Sequence, residues 1–176
     1  KASAKALDIY KKFFNASCEL DSYIDMHTLS PVVFIQKINA SGKENANKVI
    51  FYDQINNTMT LEGVVRKIYP NTQDPLSLMY NLKYMNFSRI NKFEMSINTN
   101  QKNYIFNAVV TQKAITVDER GYALNIINGD IGRREKDPYH RSKVSITMLK
   151  QEQNIPIFIR VFASGMLITA KLVEAK

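Results

Sequence analysis

Two histidines, one cysteine and one basic run with paired glycines are the residues of this chain whose types could support chemistry. His27 falls in a turn-forming stretch and His140 in a polar one. Neither stands in a motif that ties it to a carboxylate or a nucleophile, as acid–base or nucleophilic catalysis requires. Cys18 sits among alternating strand residues, the setting of a buried inert thiol rather than of a thiolate. A single cysteine excludes an internal disulfide, and no pair of Cys or His has metal spacing, so no metal and no cofactor is expected. Gly129-Asp-Ile-Gly132-Arg-Arg could let backbone approach a phosphate while the arginines add charge. It falls between two strand-like runs instead of opening a helix, however. Asp130, Glu135 and Asp137 also offset much of the charge of Arg133, Arg134, Lys136, Arg141 and Lys143. The run reads as a solvated hairpin loop.

The elements that would have to position any site are those of one domain. The 176 residues, 45% hydrophobic and 23% charged, are enough for a substantial core and are not the composition of a disordered chain. A net charge of +8 and a pI near 9.5 admit an anionic partner such as nucleic acid or a lipid surface. The lysines are scattered and the aromatic residues are spaced as strand core, which argues against a nucleic-acid stacking platform. No apolar segment reaches the length of a signal-peptide core or a membrane span. Because the first residue is Lys rather than Met, the chain is expected to be processed or truncated.

Asp74 to Asn86 predicts the one helix. Asp74 suits the N-cap and Pro75 the first helical position, where its missing N–H costs nothing. Leu76, Met79 and Tyr80 share one face, and Leu78, Leu82 and Met85 make a second. Only Ser77 and Asn81 leave a narrow polar stripe, so the helix, about 20 Å long, calls for cover on most sides.

Nearly everything else alternates with the period of a strand. Runs of strand length are Ala2–Leu7, Ala16–Asp25, Val32–Ala40, Lys48–Asp53, Met59–Ile68, Lys92–Asn98, Asn103–Val117, Tyr122–Ile127, Lys143–Lys150, Pro156–Ala163 and Met166–Glu174. Asp8 to Asn15 reads as a turn or one helical turn, and Ser41 to Asn47 as a loop. Asp25 to Pro31 is a turn in which Asp25 closes an Asx-type bend supported by Thr28. Pro156 suits a strand start, where no interior ladder bond is lost. With short connections and no βαβ spacing, the fold class is mainly β. The expected form is a strongly curved antiparallel meander sheet, an open or half barrel, with one helix packed in its concave face.

Three patterns in this order carry a resemblance. They are Ser22-Tyr-Ile-Asp25 followed by Thr28-Leu-Ser-Pro31, then Thr72-Gln-Asp-Pro-Leu-Ser77, then Asn154-Ile-Pro-Ile157. Together they resemble the bacterial envelope family known as domain of unknown function thirty-one-oh-eight, over nearly the whole chain. The resemblance implies a periplasmic or outer-membrane-associated protein. It also implies a fold like that of the lipoprotein-localisation carriers, which hold acyl chains in the hollow of a curved sheet. It supplies no catalytic residues. It further implies that the chain enters at the family's third strand, near Lys1 to Leu7, leaving a strand edge through which self-association could occur. The strand before Asn154 reads Ile146-Thr-Met-Leu-Lys150, where relatives often carry an aromatic followed by acidic residues, so the resemblance itself lends no support to a binding role there.

Two functions follow, with a third behind them. The first is a non-enzymatic envelope binding or carrier module for an apolar ligand such as an acyl chain. That ligand would lie against the helix at Met79, Tyr80 and Leu82 and against Phe106, Ile126, Ile146 and Ile159 on the strands. Methionine suits such a site because its flexible side chain adapts to irregular apolar groups. The alternative is a structural scaffold or interaction domain of the envelope, with an envelope protein as partner and those same residues as filled core. A hydrolase comes third, with no catalytic residues to support it.

Overall fold

The structure is a computed structural model and describes residues 2–5, 16–40, 46–99, 101–135, 141–163 and 165–171, with 2–5, 16–18, 40 and 46 described in backbone alone. His140, the Asp8–Asn15 turn and the loop from Ser41 lie outside the described residues, as does the side chain of Cys18. Among the described residues, twelve strands and one helix follow in chain order. The first six strands are β1 (Ala2–Lys5), β2 (Ala16–Ile24), β3 (Pro31–Ala40), β4 (Ala46–Asp53), β5 (Thr58–Leu61) and β6 (Val64–Lys67). Helix α1 (Pro75–Tyr84) comes next. The remaining strands are β7 (Lys92–Thr99), β8 (Lys102–Val117), β9 (Arg120–Arg133), β10 (Arg141–Leu149), β11 (Ile155–Ala163) and β12 (Met166–Lys171).

Among the described residues the fold is mainly β with one helix, and all the strands pair antiparallel in meander order. They are shared between two six-stranded sheets, β1 to β6 and β7 to β12, neither of which closes into a barrel. The chain divides into two compact units, one comprising Lys1–Leu78 with Asn98–Gln101 and the other Met79–Ile97 with Lys102–Lys176. The first turn of α1 belongs to the first unit and the rest of the helix to the second.

Local chemistry sets the turns. Asp25 accepts at one carboxylate oxygen from the N–H groups of His27 and Thr28 and from the Thr28 hydroxyl, the Asx bend read from the sequence. Asp53 does the same for Ile55 and Asn56 at the β4–β5 turn. The run Met59–Ile68 is two strands instead of one. Glu62 and Gly63 both adopt positive φ, at 52° and 76°, the two-residue turn whose twist matches a tight hairpin. Asp118 and Glu119 make an equivalent turn between β8 and β9, at 47° and 64°, without glycine.

The core of the first unit collects Phe34, Ile50, Tyr52, Met59, Leu61 and Ile68, with Leu20 and Leu76 packed against it. In the second unit the register Val110–Ile127–Ile146–Ile159 runs across four strands. Ile127 and Ile146 are buried within it, at 0% and 2% exposure. The run at Gly129 is not a hairpin loop: β9 continues through it to Arg133, paired to β8 on one side and β10 on the other. A Cβ at Gly129 would stand 2.7 Å from the Phe106 ring and would collide with the Asn107 carbonyl. The glycine therefore makes room for a buried aromatic in a sheet and does not serve a phosphate.

Candidate functional site

The first constellation lies at the start of the helix, within the first unit. Asp74 exposes no surface. One of its carboxylate oxygens accepts from the N–H groups of Leu76 at 2.7 Å and Ser77 at 2.9 Å, two of the four donors a helix start leaves unpaired. Ser77 reciprocates, its hydroxyl accepting the Asp74 N–H at 2.8 Å, in the position a capping box gives to Glu or Gln. The other carboxylate oxygen accepts the Ser22 hydroxyl from β2 at 2.6 Å. Burial pushes the Asp74 carboxyl above the usual carboxylate range, against the opposing pull of hydrogen bonds from Ser22, Ser77 and Leu76. Burial, reinforced by the negative charge of Asp74, likewise drives the Tyr52 phenol up. Its hydroxyl reaches Asn98 at 3.5 Å, and the Asn98 N–H donates to the Gln73 carbonyl at 2.8 Å.

A matching constellation lies at the helix end, within the second unit. The side-chain nitrogen of Asn154 lies 2.9 Å from the Met85 carbonyl and 3.3 Å from those of Leu82 and Lys83. Its backbone N–H donates to the Lys83 carbonyl at 2.9 Å. The Asn154 side-chain oxygen accepts from Asn125 of β9 at 2.8 Å, so a buried amide pair closes the carbonyls that a helix terminus leaves open. The sequence points to Asp74 as the N-cap, whereas Ser77 stood there only as part of a narrow polar stripe, and its reciprocal bond is a finding of the structure. Asn125 was missed, although an asparagine set between Leu124 and Ile126 in an apolar strand is a sign of a buried hydrogen bond.

The residues expected to line an apolar site are divided by the structure. Leu82 and Phe106 expose no surface and Ile146 only 2%. Met79 and Ile159 are half-buried, and Tyr80 is 44% exposed, its ring 5.6 Å from that of Tyr84. Phe106, Ile146 and Ile159 share one face of the second sheet with Ile127. Ile126, adjacent to it, points to the opposite face, because side chains alternate along a strand. The grouping of Ile126 with the others is thus corrected, its consecutive isoleucines having left the parity open.

That opposite face carries an open groove of about 460 Å³. Register puts Asp130, Lys143, Phe162 and Leu167 in one row across β9 to β12. Asn128, Ser145, Arg160 and Thr169 make the next row. Arg141 pairs with Asp130 at 2.9 Å, and the Arg160 guanidinium lies 4.8 Å from the centre of the Phe158 ring.

His27 is exposed in the Asp25 turn, and no group of three or more potential metal ligands occurs among the described residues. The class this geometry defines is a two-sheet antiparallel protein with buried polar clasps at both ends of its helix. Set against family models, curated proteins and solved structures, the chain matches none.

Proposed function

We propose that this chain is a non-enzymatic scaffold or interaction domain of the cell envelope, with a filled core on the helix side. One observation carries the reading: the motif residues are engaged in holding the helix. Ser22 and Asp74 fasten its start and Asn154 closes its end. An envelope setting is supported by the sequence resemblance carried by those same motifs.

A carrier would need open apolar space of roughly 300–1,000 Å³ beside its lining residues. Leu82 and Phe106 border no space large enough for water, since neither exposes any surface. Close packing at that face favours a scaffold over an acyl-chain pocket.

The chain contains no tryptophan, so a single introduced one reports on its own surroundings. Met79→Trp places that reporter on the helix. A dibrominated fatty acid at micromolar concentration is expected to leave its fluorescence unquenched. Saturable quenching there would return the acyl-carrier reading in place of the scaffold.

A further inference from the structure

We infer that the groove on the opposite face of the second sheet is a binding site for a single-chain anionic amphiphile. The inference is independent of the scaffold reading, which concerns the other face. Lys143 and Arg160 sit on neighbouring strands two residues out of step, since Lys143 pairs with Phe162 and Ser145 with Arg160. Such diagonal neighbours lie roughly 7–8 Å apart, near enough for two long cationic side chains to converge on one anionic group. The one carboxylate in the groove, Asp130, is already held by Arg141 at 2.9 Å. Among the described residues no carboxylate pairs with Lys143 or Arg160. Among the described residues, then, these two positive charges over the groove have no carboxylate of their own. Ser145 and Asn128, directly across the ladder from Arg160 and from each other, add hydroxyl and amide groups beside them.

The apolar half of the site adjoins the cations. Phe162 is 48% exposed and pairs with Lys143 on one side and with Leu167, 63% exposed, on the other. An aromatic and a leucine left this open, in register with the Lys143 cation, make a surface that is charged at one end and apolar at the other. The 460 Å³ volume falls within the range of small-ligand sites. A carboxylate or phosphate head would meet Lys143 and Arg160, the guanidinium offering a two-pronged contact, while the chain crosses Phe162 toward Leu167.

The test uses the whole chain with a tryptophan reporter in the groove, introduced in parallel variants by Phe162→Trp and by Leu167→Trp. Dibrominated stearate, below its own aggregation threshold, is expected to quench both reporters saturably and to leave the one introduced by Met79→Trp unchanged. Adding Lys143→Gln and Arg160→Gln to the Leu167→Trp variant should weaken binding about tenfold for each charge-assisted contact removed. The uncharged methyl ester should bind as weakly as the acid does to the doubly neutralised variant. An alkyl phosphate that competes with stearate shows that either head group is accepted; failure to compete narrows the ligand to carboxylates. Absence of quenching at both groove positions overturns the site and leaves the scaffold reading intact. Equal binding of acid and ester overturns the role of the two cations. Quenching at position 79 alone overturns both this site and the scaffold reading.

Discussion

The Ser22 hydroxyl donates to the Asp74 carboxylate at 2.6 Å across 52 residues of chain, fastening a strand to the first residue of the helix cap. Removing the carboxylate takes away more than the cap. Asp74→Ala is expected to cost about 0.5–2 kcal/mol for the lost N-cap, and roughly a further 1–3 kcal/mol for the stranded buried donors. Ser22→Ala should also destabilise, and the pair should show a coupling energy of about 0.5–3 kcal/mol in a double-mutant cycle by urea denaturation. Additive losses would mean that the two side chains act independently.

The same carboxyl makes stability depend on pH in a stated direction. Its folded value is raised by burial above that of the unfolded chain, about 3.9. The folded state therefore holds the proton longer, and its contribution is fully present below about pH 4 and lost as pH rises through the folded value. Asp74→Asn keeps a capping oxygen and removes the titration. The stability of wild type relative to Asp74→Asn should fall with rising pH above about 4 and then level off. Asp25 and Asp53, whose values are lowered by hydrogen bonds in their turns, act in the opposite sense and at lower pH, and they cancel in this difference. A flat difference from pH 3 to pH 8 would remove the assignment.

At the other end of the helix, Asn154→Ala removes the donor shared by three carbonyls and leaves the Asn125 amide without its acceptor. A loss of about 1–3 kcal/mol is expected, with amide exchange rising in the last turn of α1 before it rises in the sheets. Asp is the informative comparison, because it keeps the acceptor for Asn125 and offers the carbonyls only repulsion. Asn154→Asp should therefore be at least as damaging as Asn154→Ala.

Gly129→Ala tests the close approach of Phe106. The added methyl would meet both a ring and a backbone carbonyl, and the carbonyl cannot turn away without breaking the ladder. The expected cost is about 1–3 kcal/mol. Phe106→Leu frees only the ring contact, so it should not restore the loss in the double variant. Full restoration would mean that the backbone contact is easily relieved.

The helix start could be read from sequence because its chemistry is local: Asp74 and Pro75 are adjacent and have recognised roles at a helix start, while the bond from the Asp74 N–H to the Ser77 hydroxyl emerged only with the structure. The helix end could not. Its donor is Asn154, 69 residues beyond the Met85 carbonyl it serves, and only the fold brings the two together. Strand existence followed from alternation, but parity failed where two apolar residues stand side by side, as at Ile126 and Ile127. The hairpin at Glu62-Gly63 was hidden because apolar residues resume at once with Val64 and Val65, which the structure leaves 51% and 62% exposed. The groove was invisible for a related reason. Asp130, Lys143 and Phe162 are spread over 33 residues and meet only through the register of three strands.

In both sheets every hydrogen-bonded neighbour is also the next strand in the chain. No described strand waits for a partner made much later, so the entropic cost of closing each loop stays small for a mainly β chain of this size. Assembly can proceed by adding one hairpin arm at a time, in the order in which a ribosome releases them. Refolding monitored by stopped flow should accordingly be faster than that of sandwiches with Greek-key crossings of equal length, and each sheet can begin to form before its last strand has been synthesised.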